Sequence, residues 1–217
     1  MPSECLLLGL DGVLMDTRPV LATAWYAVQE THGITVPFAD YLPCVGRPFA
    51  DIMGRLGIGD ADQVEVTYST VCRATAHLAR PFEGVADALC ALVAGGWRLG
   101  VVTSTPLNRA EPLLAPFGDM FAAVRTADGF ERGKPAPDPL LLALVDLAVD
   151  PAEATYVGGT AVDLETARRA GVPYIHAGWG YEQPNGPEPR VAHHPAELSW
   201  LLGYGRGYGP FVEGSVL

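Results

Sequence analysis

Five short apolar or β-branched runs, each separated from the next by a stretch of helical periodicity, constrain this chain more than any other feature. The runs occupy residues 5–10, 98–103, 122–125, 154–158 and 172–176. Parallel strands need a long crossover between them, usually a helix, so this alternation predicts a parallel sheet with helices packed on it. Helical patterns at 84–95, 107–115, 138–147, 160–170 and 195–202 supply the crossovers. In the first of them Val85, Leu89, Leu92 and Val93 share one face. In the last, Pro195 suits a first turn, where its missing N–H costs nothing. The predicted fold class is α/β, a Rossmann-like parallel-sheet core.

Residues 19–79 interrupt the alternation. Helical patterns at 19–32, 48–56 and 60–78 follow one another with no strand pattern between them. They predict an inserted all-helical cap domain. The expected organisation is a core of residues 1–16 and 82–202, a cap of residues 17–81, and a Gly- and Tyr-containing tail at 203–217. The crossings at 15–18 and 80–84 contain or adjoin Arg and Pro, as hinge-like linkers often do. The tail is expected to be irregular, with Tyr204, Tyr208 and Phe211 as the side chains that could dock on a partner.

A chain of 217 residues, 49% of them hydrophobic, is long enough for one large domain or a domain with an insert. Its formal charge of −11 disfavours nucleic acid and anionic membrane surfaces as partners. No window holds the ~18 uninterrupted apolar residues of a membrane span. The first apolar run lacks the basic flank and the length of a signal peptide. Cys5, Cys44, Cys72 and Cys90 have no CxxC spacing and are expected to be reduced thiols. A cytoplasmic location is the expectation from these features.

Four strings at the ends of the predicted strands carry the chemistry. They are Gly9-Leu10-Asp11-Gly12-Val13-Leu14-Met15-Asp16, Gly100-Val101-Val102-Thr103-Ser104, Gly133-Lys134-Pro135-Ala136-Pro137-Asp138 and Tyr156-Val157-Gly158-Gly159-Thr160-Ala161-Val162-Asp163. In order and spacing they resemble the four motifs of the haloacid dehalogenase-like superfamily, in its phosphoglycolate phosphatase and β-phosphoglucomutase branch. The resemblance covers nearly the whole chain and implies the catalytic roles of that family. Asp11 matches the acid/base carboxylate. Thr103 and Ser104 match the hydroxyl end of the strand that holds phosphoryl oxygens, and Lys134 matches the charge-neutralising lysine. Gly46-Arg47-Pro48 resembles the cap loop that sets substrate choice, with Arg47 as its reaching side chain. A further likeness, to phosphatase-like proteins of aminohydroxybenzoate antibiotic biosynthesis, is carried by Asp16-Thr17-Arg18-Pro19-Val20 and Gly46-Arg47-Pro48-Phe49; it implies a place in secondary metabolism.

Two positions depart from the family pattern. Gly9 stands where the resemblance implies the nucleophilic Asp, and Gly159 where it implies a direct Mg²⁺ ligand. Asp163 remains as the second carboxylate of that motif. Mg²⁺ is usually held by one or two carboxylates plus water and substrate, so no metal and no other cofactor is expected. The leading expectation is a degenerate phosphatase with a binding or regulatory role and absent or very weak Mg²⁺-dependent activity. A second is altered, metal-independent chemistry on a small anionic metabolite, with Asp11 as acid or base. A third is an ordinary phosphomonoester hydrolase of the phosphoglycolate phosphatase type. A small anionic molecule is the expected partner, with a protein partner or a second copy also compatible.

Overall fold

Cys5–Leu8 (β1) is apolar at every position because both of its faces are covered. The computed structural model describes residues 5–129, 132–183 and 190–204. After a turn at 9–14 comes a two-residue strand, Met15–Asp16 (β2), then helices Arg18–His32 (α1), Phe38–Tyr41 (α2), Phe49–Arg55 (α3) and Ala61–Ala74 (α4). Arg80–Pro81 (β3) closes that helical segment. The chain then alternates through Val85–Ala94 (α5), Arg98–Val102 (β4), Leu107–Leu114 (α6), Phe121–Arg125 (β5) and Asp138–Leu147 (α7). It ends with Ala154–Gly158 (β6), Ala161–Ala170 (α8), Tyr174–Ala177 (β7), Arg190–Ala192 (β8) and Glu197–Tyr204 (α9).

The main sheet has the order β5-β4-β1-β6-β7-β8, and every pairing in it is parallel. This is the predicted α/β architecture. Leu6 and Leu8 point into one apolar layer with Val85, Leu89 and Leu198, whereas Cys5 and Leu7 point into the opposite one with Leu140, Leu144 and Ala167. The strand period of two divides β1 between two helix layers. From β1 the chain runs outward to β4 and β5, then returns to the other side of β1 as β6. That reversal opens a crevice at the carboxyl ends of β4, β1 and β6, the usual ligand position in such sheets.

The helical segment forms around α1 and α4, which pack on each other. α1 buries Val20, Leu21, Ala24, Trp25 and Val28, and it stops at Gly33, whose φ of 65° ends the helix without a Cβ penalty. α4 buries Val64, Tyr68 and Cys72, residues spaced by one turn.

The structure adds to the sequence expectations at some places and departs from them at others. The two crossings expected as hinge-like linkers pair with each other as an antiparallel ribbon, Met15 opposite Pro81 and Asp16 opposite Arg80. Strands of two residues carry no readable periodicity. The sixth strand, β8, also escaped because it is only three residues long and begins with Arg190. The helical pattern at 60–78 divides at Thr75, whose hydroxyl bonds back to the Val71 carbonyl at 2.7 Å; a 3₁₀ turn, Ala76–Leu78, follows. α9 runs to Tyr204, and the tail expected beyond it lies outside the described residues. No helix among the described residues is long and apolar enough to cross a membrane.

Candidate functional site

The carboxyl ends of β1, β4 and β6 open into a cavity of about 280 Å³ that the helical segment roofs. Gly9, Asp11, Thr103, Ser104, Lys134 and Asp163 line its floor, and Arg47 lines its roof. Five side chains and a glycine from the four strings therefore meet in one place, with Arg47 from the Gly46-Arg47-Pro48 string above them. Gly159 lies on the turn after β6, beside this floor.

Asp11 is held by two hydroxyls that donate to it, Thr17 Oγ1 to Oδ1 at 2.6 Å and Thr105 Oγ1 to Oδ2 at 2.8 Å. Thr17 is itself tied to Tyr181, whose hydroxyl accepts from the Thr17 N–H at 2.7 Å. Thr103 is buried and its Oγ1 accepts from the Thr105 N–H at 3.1 Å, which shapes the turn after β4. Ser104 donates to the Gly46 carbonyl at 2.7 Å and so joins the end of β4 to the Gly46-Arg47-Pro48 loop of the helical segment. Arg47 pairs with Asp51 at 3.4 Å.

Lys134 is 3% exposed and spends all its N–H groups on the protein. Its Nζ donates to Tyr156 Oη at 2.6 Å, Asp163 Oδ1 at 2.8 Å and the Val102 carbonyl at 3.0 Å. Tyr156 Oη donates to the same Asp163 oxygen at 2.7 Å. The other oxygen of Asp163 accepts from the Gly159 N–H at 3.1 Å and from Thr160 Oγ1 at 2.9 Å. Burial alone would push the Asp163 carboxyl up. The Lys134 ammonium, with hydrogen bonds from Lys134, Tyr156 and Thr160, outweighs it and holds the carboxyl below its usual value. Burial and the neighbouring Asp163 charge push the Tyr156 hydroxyl well up, so it stays protonated and donates.

A carboxyl whose folded value lies below its unfolded one stabilises the fold at neutral pH and loses that contribution in acid. Urea unfolding followed against pH is therefore expected to show stability full above roughly pH 4 and declining as pH falls further, through the depressed value of Asp163. Asp163→Asn should flatten part of that limb; an acid limb of the same depth in the variant would count against this assignment. Asp16, lowered chiefly by its hydrogen bond from Arg18, adds to the limb in the same direction.

An added Cβ would meet a side chain closely at Gly9 and backbone more closely at Gly159. A Cβ on Gly9 would lie 3.1 Å from Val13 Cγ2 and 3.6 Å from Tyr156 Oη. A Cβ on Gly159 would lie 2.9 Å from the Gly12 carbonyl oxygen, a backbone atom. Among the described residues no three His, Cys, Asp or Glu side chains converge as a metal-binding group. Asp163 already accepts from four donors and Asp11 from two. This donor set does not fit a hard divalent cation that seeks several free oxygens.

Three residues of the site had no assigned role in the sequence reading. Tyr156 stands within the fourth string, yet a Tyr on a buried strand is indistinguishable there from core. Thr105 follows the Thr103-Ser104 pair, and only the turn brings it back to Asp11. Arg109 carried a signal that could have been found. It shares the inward face of α6 with Ala110 and Leu113, where an apolar residue is the norm, and it lines the cavity at 9% exposure.

Residues 6–177 match the model of the haloacid dehalogenase-like hydrolase family. The chain is 30% identical to an N-acetylmuramic acid 6-phosphate phosphatase of Pseudomonas aeruginosa, over 93% of this chain and 96% of that protein. It is 32% identical to a plasmid-borne phosphoglycolate phosphatase of Cupriavidus necator, over 86% of each. A solved structure from Lactobacillus plantarum, of a protein proposed to be a phosphoglycolate phosphatase, superposes with a TM-score of 0.85 at 27% identity, covering 93% of this chain and all of that one. A family match over this length, together with relatives at such identity and coverage, establishes that the chain belongs to the haloacid dehalogenase-like hydrolase family.

Proposed function

We propose that this chain is a degenerate member of its family, which binds a small anionic molecule in the roofed cavity and has lost Mg²⁺-dependent phosphatase turnover. The end of β1 carries the reading. Gly9 offers only backbone there, and the Tyr156 hydroxyl lies 3.6 Å from the point where its Cβ would be. A covalent phosphoryl intermediate needs a carboxylate or comparable nucleophile. Asp11 lies in the cavity, but both its oxygens are engaged by Thr17 and Thr105. Lys134, the cation that would meet a phosphoryl group, has its charge paired with Asp163. The helical segment acts as the cap, and Arg47 with the Gly46–Ser104 bond sets how it closes over the floor.

The names of the relatives support a second reading, an ordinary phosphomonoester hydrolase. Phosphate release separates the two. The substrates would be phosphoglycolate, N-acetylmuramic acid 6-phosphate and other small phosphate esters, each with and without Mg²⁺. The native protein is expected to turn over roughly 10⁴-fold or more slowly than an intact relative, the scale on which losing a key catalytic group acts. Gly9→Asp is the informative companion, because the close contact its Cβ meets, Val13 Cγ2 at 3.1 Å, is a side chain and not backbone. Gly159→Asp must displace the Gly12 backbone, so it requires a check of folding. Robust Mg²⁺-dependent turnover by the native protein would overturn the first reading in favour of the second.

A further inference from the structure

Arg109 is a buried cation that no carboxylate touches among the described residues. It is 9% exposed and lines the cavity from α6. Its Nη1 reaches only the Cys72 sulfur, at 3.8 Å, and its Nε is buried with no hydrogen-bond partner. The guanidinium carbon lies 5.2 Å from the centre of the Tyr68 ring, a cation–π contact that orients the group without satisfying its N–H donors. A buried charge left without a partner is costly, and buried polar groups are nearly always hydrogen-bonded. Asp11 and Glu65 also line the cavity; Asp11 acts on Arg109 through space, but among the described residues no carboxylate lies within ion-pair distance of it.

The surroundings of Arg109 narrow what could complete it. Val20, Leu21, Phe49, Ile52 and Leu113 give this part of the cavity apolar walls. Tyr41 and Tyr68 are both 2% exposed, and the Tyr41 hydroxyl donates to that of Tyr68 at 2.5 Å. A planar guanidinium matches a carboxylate through paired N–H donors. One positive charge is balanced by a monoanion, whereas a dianionic phosphate would leave excess negative charge in an apolar setting that already contains Asp11.

From this geometry we infer that the cavity takes an organic carboxylate with an apolar body, its head on Arg109 and its body against the walls formed by α1 and α3. The inference rests on the reading of the cavity as a ligand site and names the class of ligand. Lys134, with its donors consumed, is not the anion anchor on this view.

Calorimetric titration of the full chain with hexanoate, with neutral hexanamide and with inorganic phosphate tests it. Hexanoate is expected to bind roughly 10- to 100-fold more tightly than hexanamide, the worth of a charge-assisted hydrogen-bond pair. Arg109→Met should erase that preference by weakening hexanoate binding far more than hexanamide binding. The native comparison needs no variant, so it decides the matter even if Arg109→Met does not fold. Equal binding of hexanoate and hexanamide would overturn the role of Arg109. Binding of neither would overturn the ligand class. Phosphate binding that Arg109→Met abolishes, with hexanoate silent, would overturn the choice of a carboxylate. None of these outcomes depends on phosphate release: turnover by the native protein alongside an intact hexanoate preference would sink only the degenerate reading.

Discussion

Replacing Lys134 with Met is expected to destabilise the protein by about 3–5 kcal/mol, because it strands a buried carboxylate. Lys134 and Asp163 are 3% and 4% exposed and pair at 2.8 Å. Removing the ammonium leaves Asp163 in a low-dielectric setting with only neutral donors around it. The double variant Lys134→Met/Asp163→Leu should cost less than the sum of the two single changes, since it removes both charges. Urea unfolding at pH 7 of the native protein, both singles and the double measures this directly. A Lys134→Met variant within about 0.5 kcal/mol of the native protein, the range of an ordinary surface change, would show that the cluster does not hold the floor together. The result also bears on function. In this structure the three donors of Lys134 are held by Tyr156, Asp163 and the Val102 carbonyl.

Trp25→Ala is the second large effect, at about 3–5 kcal/mol. Trp25 is fully buried in α1, and its ring stacks on Tyr41 with centroids 4.2 Å apart. Its indole N–H donates to the Val36 carbonyl at 2.9 Å. That carbonyl also accepts from Gln29 at 2.8 Å, so truncation leaves it partnered and the loss is one of packing. Trp25→Phe should recover a large part of the stability, since an aromatic ring still fills the gap against Tyr41. If Phe were no better than Ala, the hydrogen bond would be the main contribution. Tyr41 lines the cavity, so Trp25→Ala should also loosen the roof and weaken hexanoate binding.

Much of this molecule could be read from local pattern. The strands with strong apolar runs and the long helices of both layers form at or within a few residues of where periodicity places them. A buried strand and an amphipathic helix each write their burial into consecutive letters. The elements that were missed are those with too few letters to do so: the ribbon of Met15–Asp16 and Arg80–Pro81, the four-residue α2 and the three-residue β8. The candidate site divides in the same way. Asp11, Thr103, Ser104, Lys134 and Asp163 could be proposed because they belong to strings that resemble a family.

What the letters alone determined is the fold class, the order of the four strings and the presence of glycine at positions 9 and 159. What only the tertiary structure decided is how the remaining charges are used. Lys134 and Asp163 are 29 residues apart and neutralise each other, with Tyr156 bonded to both. Cys72 and Arg109, 37 residues apart, meet in the roofed cavity, where among the described residues no carboxylate lies within ion-pair distance of Arg109. Whether a buried charge is spent or free depends on which atoms lie within about 4 Å of it, the range over which ion pairs and hydrogen bonds act. The strand crossovers set those distances, because they bring residues far apart in the chain to one end of the sheet.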